Sequence, residues 1–382
     1  MMAASKIENA PWVRLGDYIE PTDVRNTDNK LTEKDVRGIS TEKSFIETKA
    51  NLDGVSLTFY KVVKPKEFVY VADTSRRGEK IALALNDSND SYLISSIYTT
   101  FKSKDENNLI PEYLYLLLSR TEFDRYSRFN SWGSARETFD WSEMCRVKIP
   151  LPSSETQREL VAVYNGLKEL AEENEKLLEP LSKSCQVFIV DCKNKYPSKR
   201  LGDYIEESDE RNYAGKYTLD NVRGISTEKK FIETKANLDG VSLASYKVVN
   251  PREFVYVADT SRRGEKIALA LNISNDSYLI SSIYTTFKSK DEKKLLPEYL
   301  FLLLSRSEFD RYSRFNSWGS ARETFDWSEM CRVQIPLPPI KIQQKIVDLY
   351  NCYEECKRIA NQVREKIKSL CPALVQKAAH SG

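Results

Sequence analysis

Short apolar runs separated by polar turns characterise the first 150 residues or so and predict a domain rich in β-strands. Phe68–Ala72 and Lys80–Leu85 are predicted strands, because apolar, β-branched and aromatic side chains fit a pleated, buried surface. The polar residues 73–79 lie between them, so we predict a hairpin. Tyr92–Tyr98 is a further predicted strand. Pro111–Leu118 begins with proline, which favours the first turn of a helix, and is otherwise apolar enough to be buried.

Two later segments have a different pattern, in which apolar residues recur at spacings of three and four. Each segment follows a proline-bounded strand, at residues 149–152 and 335–338. This spacing is typical of a coiled-coil seam, and the intervening Glu, Lys and Arg suit its solvated face. We expect the two helices to pair antiparallel, and Pro180 to kink or divide the first. The predicted seam residues are Leu160, Val163, Leu167, Leu170, Asn174, Leu177 and Leu181, then Ile346, Leu349, Tyr353, Cys356, Ala360, Val363, Ile367, Leu370 and Leu374.

The chain is one unit written twice. Arg14–Glu20 returns as Arg200–Glu206 at an offset of 186 residues, and Glu122–Val147 returns residue for residue as Glu308–Val333. The helical segments keep the pattern but change the residues. Two copies of one surface suggest a target that carries its own feature twice. Symmetric DNA sites are the commonest such target, because half-site spacing mirrors protein symmetry.

These patterns divide the chain into four parts. We predict globular domains at residues 1–152 and 197–338, and helical spacers at 153–196 and 339–382. The expected fold class is α+β, with two mixed domains separated and joined by two long helices. The helices are expected to form an antiparallel coiled coil with pseudo-twofold symmetry.

Composition narrows the function further. The net charge of +2 over 382 residues means that any nucleic-acid surface must be a local basic patch. No stretch approaches the roughly 18 apolar residues of a membrane span, and no signal peptide is visible. The seven cysteines are most simply reduced thiols, so we expect a cytoplasmic protein. The sequence has one histidine, His380, which almost excludes histidine-based catalysis and metal sites with histidine ligands.

Several local features, in the same order in both copies, carry a resemblance. They are the loop Arg37–Ser40 with its copy Arg223–Ser226, the polar hairpin Ser75–Lys80, and the Ile-Pro-Leu-Pro strand followed by Gln157 or Gln343. In this arrangement, nearly the whole chain resembles the specificity subunit of a Type I restriction–modification system. Those subunits alternate target-recognition domains with long helices.

The resemblance implies a non-catalytic chain that recognises double-stranded DNA. Modification (methyltransferase) subunits would dock on the helices and supply S-adenosylmethionine, and restriction subunits would supply ATP- and Mg-dependent translocation. The near-identity of the two recognition domains implies two equal, inverted half-sites, which form an interrupted palindrome. The residues expected in helix–helix or partner contacts are Leu160, Leu167, Leu170, Asn174, Leu177, Ile346, Leu349, Tyr353, Val363 and Ile367.

Three segments of each copy are candidate DNA contacts. Arg76 and Arg77 are the best base readers, because Arg donates two hydrogen bonds to guanine and a two-stranded ribbon fits the major groove. Lys80 suits a phosphate. Loops around residues 37–43 and 131–136 are the other two segments. The full predicted set is Arg37, Ser40, Lys43, Ser75, Arg76, Arg77, Lys80, Ser131, Ser134 and Arg136, with the copies Arg223, Ser226, Lys229, Ser261, Arg262, Arg263, Lys266, Ser317, Ser320 and Arg322.

Each candidate has a plainer interpretation. The alternative for the hairpin is a solvated tip, that for Trp132 is packing into the core of a structural loop, and that for residues 37–43 is a plain connection between strands. Asp35, Glu47 and Lys49 have a nuclease-like spacing, but the copy replaces the first acid with Asn221. No glycine-rich cofactor fingerprint or phosphate loop is present. A stand-alone regulatory DNA-binding protein and a protein-binding scaffold are the alternatives.

Overall fold

The computed structural model describes residues 10–74, 80–134, 136–234, 236–260, 266–320 and 322–380, with side chains of the last helix described through Ile367. Strands and helices repeat at the offset of the sequence. The first copy contains β1 (Trp12–Arg14), β2 (Ile19–Thr22), β3 (Arg37–Ile39), β4 (Phe45–Glu47), β5 (Lys61–Val63), β6 (Phe68–Tyr70), β7 (Leu83–Leu85), β8 (Tyr92–Ile94), β9 (Thr99–Ser103), α1 (Pro111–Leu118), α2 (Thr121–Phe129), α3 (Trp141–Arg146), β10 (Lys148–Pro150) and α4 (Ser154–Lys195). The second contains β11 (Ser198–Arg200), β12 (Ile205–Ser208), β13 (Arg223–Ile225), β14 (Phe231–Glu233), β15 (Lys247–Val249), β16 (Phe254–Tyr256), β17 (Leu269–Leu271), β18 (Tyr278–Ile280), β19 (Thr285–Ser289), α5 (Pro297–Leu304), α6 (Ser307–Phe315), α7 (Trp327–Arg332), β20 (Gln334–Pro336) and α8 (Ile340–His380).

An antiparallel sheet in the order β2-β9-β6-β7 is the centre of the first domain, and β12-β19-β16-β17 repeats it. The predicted hairpin is confirmed, because β6 pairs with β7 so that Phe68 lies opposite Leu85. The predicted helix α1 is also confirmed, with Pro111 in its first turn. The strand predicted at Tyr92–Tyr98 is shorter than expected, since β8 ends at Ile94 and a turn follows. The domain class is α+β, as predicted.

Strand β6 is buried on both faces, which explains its unbroken apolar sequence. Phe68 and Tyr70 belong to the main core, against α1, α2 and α3. Val69, together with Val71 just beyond the strand, belongs to a second, smaller core. The Phe68 ring stacks on that of Phe101 with centroids 4.8 Å apart. Because each such side chain contributes about 1.5–3 kcal/mol on burial, this strand is a rigid base for the hairpin that it starts.

The chain folds as two compact units. One comprises the described residues up to Glu173 together with those from Ile359 onwards, and the other comprises Asn174–Arg358. Each unit therefore combines one globular domain with half of α4 and half of α8. In the second unit, Ile189 and Cys192 near the end of α4 share a core with Ile346 and Val347 near the start of α8. The two helix halves of this unit thus run antiparallel.

A buried glutamine attaches each long helix to its domain. The Gln157 carbonyl accepts from Ile110 N at 2.9 Å, and its amide donates to the carbonyls of Asn108 and Pro152, each at 2.9 Å. Gln343 makes the same three bonds in the second unit. Because these bonds fix the rotation of the helix, they decide which stripe of side chains faces inward.

The observed orientation of α4 shows that its predicted seam is wrong at three of the seven positions. Leu160 is buried, and Leu167, Asn174 and Leu181 are half-buried, as a seam requires. Val163, Leu170 and Leu177 are instead exposed, and the buried partners are Ala171, Cys185, Ile189 and Cys192. In α8, Ile346, Ala360 and Val363 are buried, while Leu349, Tyr353, Cys356 and Ile367 are half-buried. Leu370 and Leu374 lie beyond the described side chains.

Pro180 does not divide α4, which is helical from Ser154 to Lys195. The helix therefore accepts the loss of one backbone hydrogen bond there. Within the part of the chain that the structure describes, no helix is long and apolar enough to cross a membrane.

Candidate nucleic-acid interface

The three candidate segments converge at the foot of the β6–β7 hairpin. Ser75, Arg76 and Arg77, and their copies Ser261, Arg262 and Arg263, lie outside the described residues. The residues that flank them, Thr74 and Lys80, are described and contact the other two segments. The geometry around these two flanking residues is therefore what positions the hairpin.

The loop at residues 131–138 is bonded to one flank of the hairpin. Thr74 N donates to the Glu137 carbonyl at 3.0 Å, and Phe139 N donates to the Ala72 carbonyl at 2.8 Å. Trp132 and Thr138 exchange two backbone bonds of 3.1 and 3.0 Å that close the loop at its base. Asp140, just beyond the loop, N-caps α3 by accepting from Glu143 N at 3.1 Å.

The contacts of the Asp140 carboxylate keep it ionised. Ser142 Oγ donates to it at 2.7 Å, and this bond, followed by that from Glu143 N, holds the pKa of Asp140 below its usual value. A charged cap at a helix N-terminus is stabilising, so the far end of the loop is held firmly.

The tip of this loop is exposed, which rules out a core position for Trp132. The Trp132 side chain is 62% exposed, and Ser134 and Arg136 are exposed as well. Gly133 has φ +138°, and a Cβ there would lie 2.1 Å from the Arg136 carbonyl oxygen. Only glycine permits this close approach of backbone to backbone. In the second unit Trp318, Gly319, Ser320 and Arg322 repeat the arrangement.

Ser131 and its copy Ser317 are poor candidates for DNA contact. Both are buried, and the Ser131 hydroxyl donates to the Ser127 carbonyl at 2.6 Å, as Ser317 does to Ser313. Their role is to continue the end of α2 or α6 into the loop. The sequence prediction grouped them with their exposed neighbours because burial is not visible in a Ser-Trp-Gly-Ser run.

The β3–β4 turn is bonded to the other flank of the hairpin through Lys43. Its ammonium donates to the Ile81 carbonyl at 2.8 Å and pairs with the Asp124 carboxylate at 2.5 Å. Asp124 also accepts from Ile81 N at 3.1 Å. Burial lowers the pKa of Lys43, and the ion pair with Asp124 opposes that effect.

Lys43 and its copy Lys229 are therefore not available to DNA, contrary to the sequence prediction. Lys229 makes the same bonds to Ile267 and Asp310. The reason is tertiary: each lysine closes its turn with positive φ, +62° and +59°, and its ammonium is held by a carbonyl and a carboxylate about 40 and 80 residues further along the chain. They attach the turn, α2 and the hairpin to one another.

The remaining predicted residues stay at the surface. Lys80 is exposed and pairs with Glu42 at 2.7 Å, and Lys266 pairs with Glu228 at 3.3 Å. Ser40 is half-buried, with its hydroxyl 3.0 Å from that of Ser44. Arg37 donates to the Lys34 carbonyl at 2.6 Å and lies over the Tyr92 ring, so it is largely occupied. Arg223 repeats this over Tyr278, and Ser226 bonds to the Lys230 carbonyl.

Sequence reasoning missed two exposed residues of α2 on the same side of the site. Phe129 is 80% exposed, and Arg125, one helical turn before it, is exposed too. Helical periodicity was an available signal, because Phe123 and Ser127 are the buried face of α2. Arg128 is also exposed and pairs with Glu137. Arg128 also bonds to the Thr74 hydroxyl, so the end of α2 that carries Phe129 lies next to one flank of the hairpin.

The nuclease-like spacing has a structural explanation. The Asp35 carboxylate accepts from Thr32 N at 2.7 Å as part of a capping box, and Asn221 accepts from Thr218 N at 3.0 Å in the copy. A side-chain oxygen suffices for this role, so aspartate and asparagine are interchangeable there. Within the described ranges, no group of three or more His, Cys, Asp or Glu side chains is placed to hold a metal ion.

Comparison with known proteins decides what these two units are. The sequence model for the Type I restriction modification DNA specificity domain matches residues 12–179 and again 186–369. The chain belongs to this family. Specificity domains are the DNA-recognising, non-catalytic component of Type I systems, and the two matches correspond to the two copies of the repeat.

One solved structure supports the fold. The chain is similar to the S subunit of a Type I restriction–modification system from M. genitalium, with a TM-score of 0.59 at 12% identity, over 97% of this chain and 96% of that one. The HsdS subunit from Thermoanaerobacter tengcongensis is also similar, with a TM-score of 0.43 at 17% identity, over 98% and 97% of the two chains. No curated protein matches the sequence.

Proposed function

We propose that this specificity subunit reads an interrupted palindrome, with one equal half-site for each unit. The hairpin at residues 75–79 would enter the major groove, where Arg76 and Arg77 can each donate two bonds to guanine. Lys80 and the loop at residues 131–136 would contact the adjoining phosphates. The second unit would do the same with the copies of these residues.

The observation that carries the proposal is identity at exposed positions. At other exposed positions the copies differ in part: Phe59, 71% exposed, is Ser245 in the second copy, and Asp87 is Ile273, whereas Ile97 and Arg146 are kept. Around the hairpin they have not diverged, although Arg125, Phe129 and Trp132 are just as accessible. Core packing does not require these exposed side chains to be identical, whereas two equal half-sites do, so their identity supports the proposal.

We further propose that modification subunits dock on the long helices. Val163 and Leu170 are exposed on α4 in the first unit, and Val187 and Phe188 in the second. Exposed apolar side chains on otherwise charged helices suit a protein partner. Those partners would supply S-adenosylmethionine and flip the target base, and restriction subunits would add ATP- and Mg-dependent chemistry.

Methylation sequencing of host DNA with and without the gene tests the symmetry. Loss of one interrupted palindromic motif on deletion is the expected result. Loss of an asymmetric motif would keep the recognition role and refute the equal half-sites. No change in methylation would refute a role in modification.

Charge reversal tests the hairpin. Arg76→Glu with Arg262→Glu is expected to abolish methylation of the motif while modification subunits still co-purify. Arg146→Glu with Arg332→Glu is the matched control, because these arginines also occur in both copies, are exposed, and lie on α3 and α7. Methylation retained at the same motif in the first variant would remove Arg76 and Arg262 from the site.

A further inference from the structure

Each unit presents two large aromatic side chains to solvent beside the hairpin. Phe129 ends α2, and Trp132 follows it by three residues. The copies Phe315 and Trp318 are 80% and 63% exposed, so the exposure is a repeated property. An aromatic side chain buries about 150–250 Å² when it packs. Two such side chains are exposed in each unit, so the folded chain lacks the stabilisation that their burial would give. A surface of this kind is expected to have a partner.

The charges around the pair favour a polyanion over an apolar protein surface. Arg125 lies one turn before Phe129 on the exposed side of α2, and Arg136 lies four residues after Trp132. Arg128 lies between them and is bonded to Glu137 and to the Thr74 hydroxyl, which flanks the hairpin. Cations that surround aromatic rings are typical of surfaces on which nucleic-acid bases stack.

Backbone and side-chain bonds hold the aromatic pair in place. Asn130 Nδ2 donates to the Tyr126 carbonyl at 2.9 Å, and the Ser131 hydroxyl continues the helix end. The Trp132–Thr138 bonds and the Thr74–Glu137 bond then connect the pair to the hairpin. The rings are therefore presented by rigid structure, so little conformational entropy is lost when they bind.

We propose that Phe129 and Trp132, and Phe315 and Trp318 in the second unit, stack on DNA bases and unstack one base step beside each half-site. The inference rests on the proposed function. Apolar wedges of this kind kink the duplex, and flexible pyrimidine–purine steps are the easiest to open. The subunit would thus select sequence at a step that its hairpin does not read.

The test uses the full chain in complex with its modification subunits and a duplex that carries the motif found by methylation sequencing. 2-Aminopurine replaces one base at a time, and its fluorescence rises where stacking is lost. The base that is methylated is left out, because its flipping belongs to the partner. We expect a rise at one step beside each half-site. Phe129→Ala with Phe315→Ala should remove that rise and weaken binding roughly ten-fold per copy.

Ile97→Ala with Ile283→Ala is the matched control, since these side chains are 78% and 77% exposed and also occur in both copies. The control should leave fluorescence and affinity unchanged, and thermal unfolding should be unchanged in both variants. No rise at any position, or a rise that survives Phe129→Ala with Phe315→Ala, would overturn the inference.

Two other outcomes distinguish failure of this inference from failure of the proposed function. If the wild-type complex binds the motif no better than a scrambled duplex, the proposed function and this inference fail together. If the phenylalanine variant binds the motif normally but no longer retains modification subunits, the patch is a protein contact and only this inference fails.

Discussion

The β3–β4 turn lies on one flank of the hairpin, and the segment at residues 129–136, which is the end of α2 and the loop after it, lies on the other. The two segments use their side chains in opposite ways. The turn is polar in sequence, but its most promising cation, Lys43, is buried in an ion pair with Asp124. The loop contains Phe129 and Trp132, which from sequence suit a core, but both are exposed. The sequence prediction was therefore wrong for Lys43, whereas the exposure of Trp132 agrees with the predicted DNA-facing loop and excludes the alternative of a core position.

The difference indicates a division of roles: the turn holds the hairpin in place from inside, and the segment with Phe129 and Trp132 leaves its side chains accessible to a partner. Lys43 takes a left-handed conformation, where glycine or asparagine is usual, in the tight turn between β3 and β4. That conformation costs free energy, which the bonds to Asp124 and Ile81 offset. The loop instead relies on Gly133 for its shape and leaves its side chains outside.

The largest expected effect comes from breaking the buried pair. Lys43→Met should destabilise the first unit by about 3–5 kcal/mol, because Asp124 keeps a buried charge with no cation beside it. Urea unfolding of the full chain measures this change, and Lys229→Met should do the same to the second unit.

The neighbouring exposed pair supplies the control. Lys80→Met removes the pair with Glu42 across the same two segments, and exposed pairs contribute about 0–1 kcal/mol. If Lys43→Met costs no more than Lys80→Met, the turn is not held from inside and the comparison fails.

A smaller effect is expected at the glycine of the loop. Gly133→Ala would place a methyl group against the Arg136 carbonyl at a φ that alanine rarely adopts, and it should cost about 1–3 kcal/mol. Because the loop must change shape, affinity for the motif duplex should fall as well. Thermal unfolding and a binding titration measure the two effects.

Gly54→Ala is the matched variant, since Gly54 also has positive φ, +72°, but a Cβ there meets nothing within 4 Å. It should cost about 1 kcal/mol and leave DNA affinity unchanged. Equal losses of affinity in the two variants would show that the shape of the 131–136 loop is irrelevant to binding.

The smallest expected effect on stability is that of Lys80→Ala, below about 1 kcal/mol. Its signature is electrostatic: if Lys80 contacts a phosphate, the slope of log affinity against log salt should become shallower by about 0.9. Lys43→Gln, in a complex that remains folded, should leave the slope unchanged. An unchanged slope for Lys80→Ala would remove that lysine from the interface.

The predicted helices show how far periodicity leads. Spacings of three and four predicted the two long helices, and α4 and α8 are observed at Ser154–Lys195 and Ile340–His380. The same spacings did not distinguish the stripe of Leu160 and Ala171 from that of Val163 and Leu170. Two adjacent stripes of α4 are apolar, and contacts with the domain, namely the bonds of Gln157 and the packing of Leu160, accompany the burial of one of them.

The sequence by itself determined the repeat, the α+β class, the β6–β7 hairpin, the family and the segments that surround the candidate site. Each of these depends on local order along the chain, which composition and spacing record directly. Only the tertiary structure decided that Lys43 is internal, that Trp132 is exposed, and that the three segments meet at one hairpin. Those outcomes depend on contacts between residues some 40 to 80 positions apart, such as Lys43 with Ile81 and Asp124, and no local pattern encodes them.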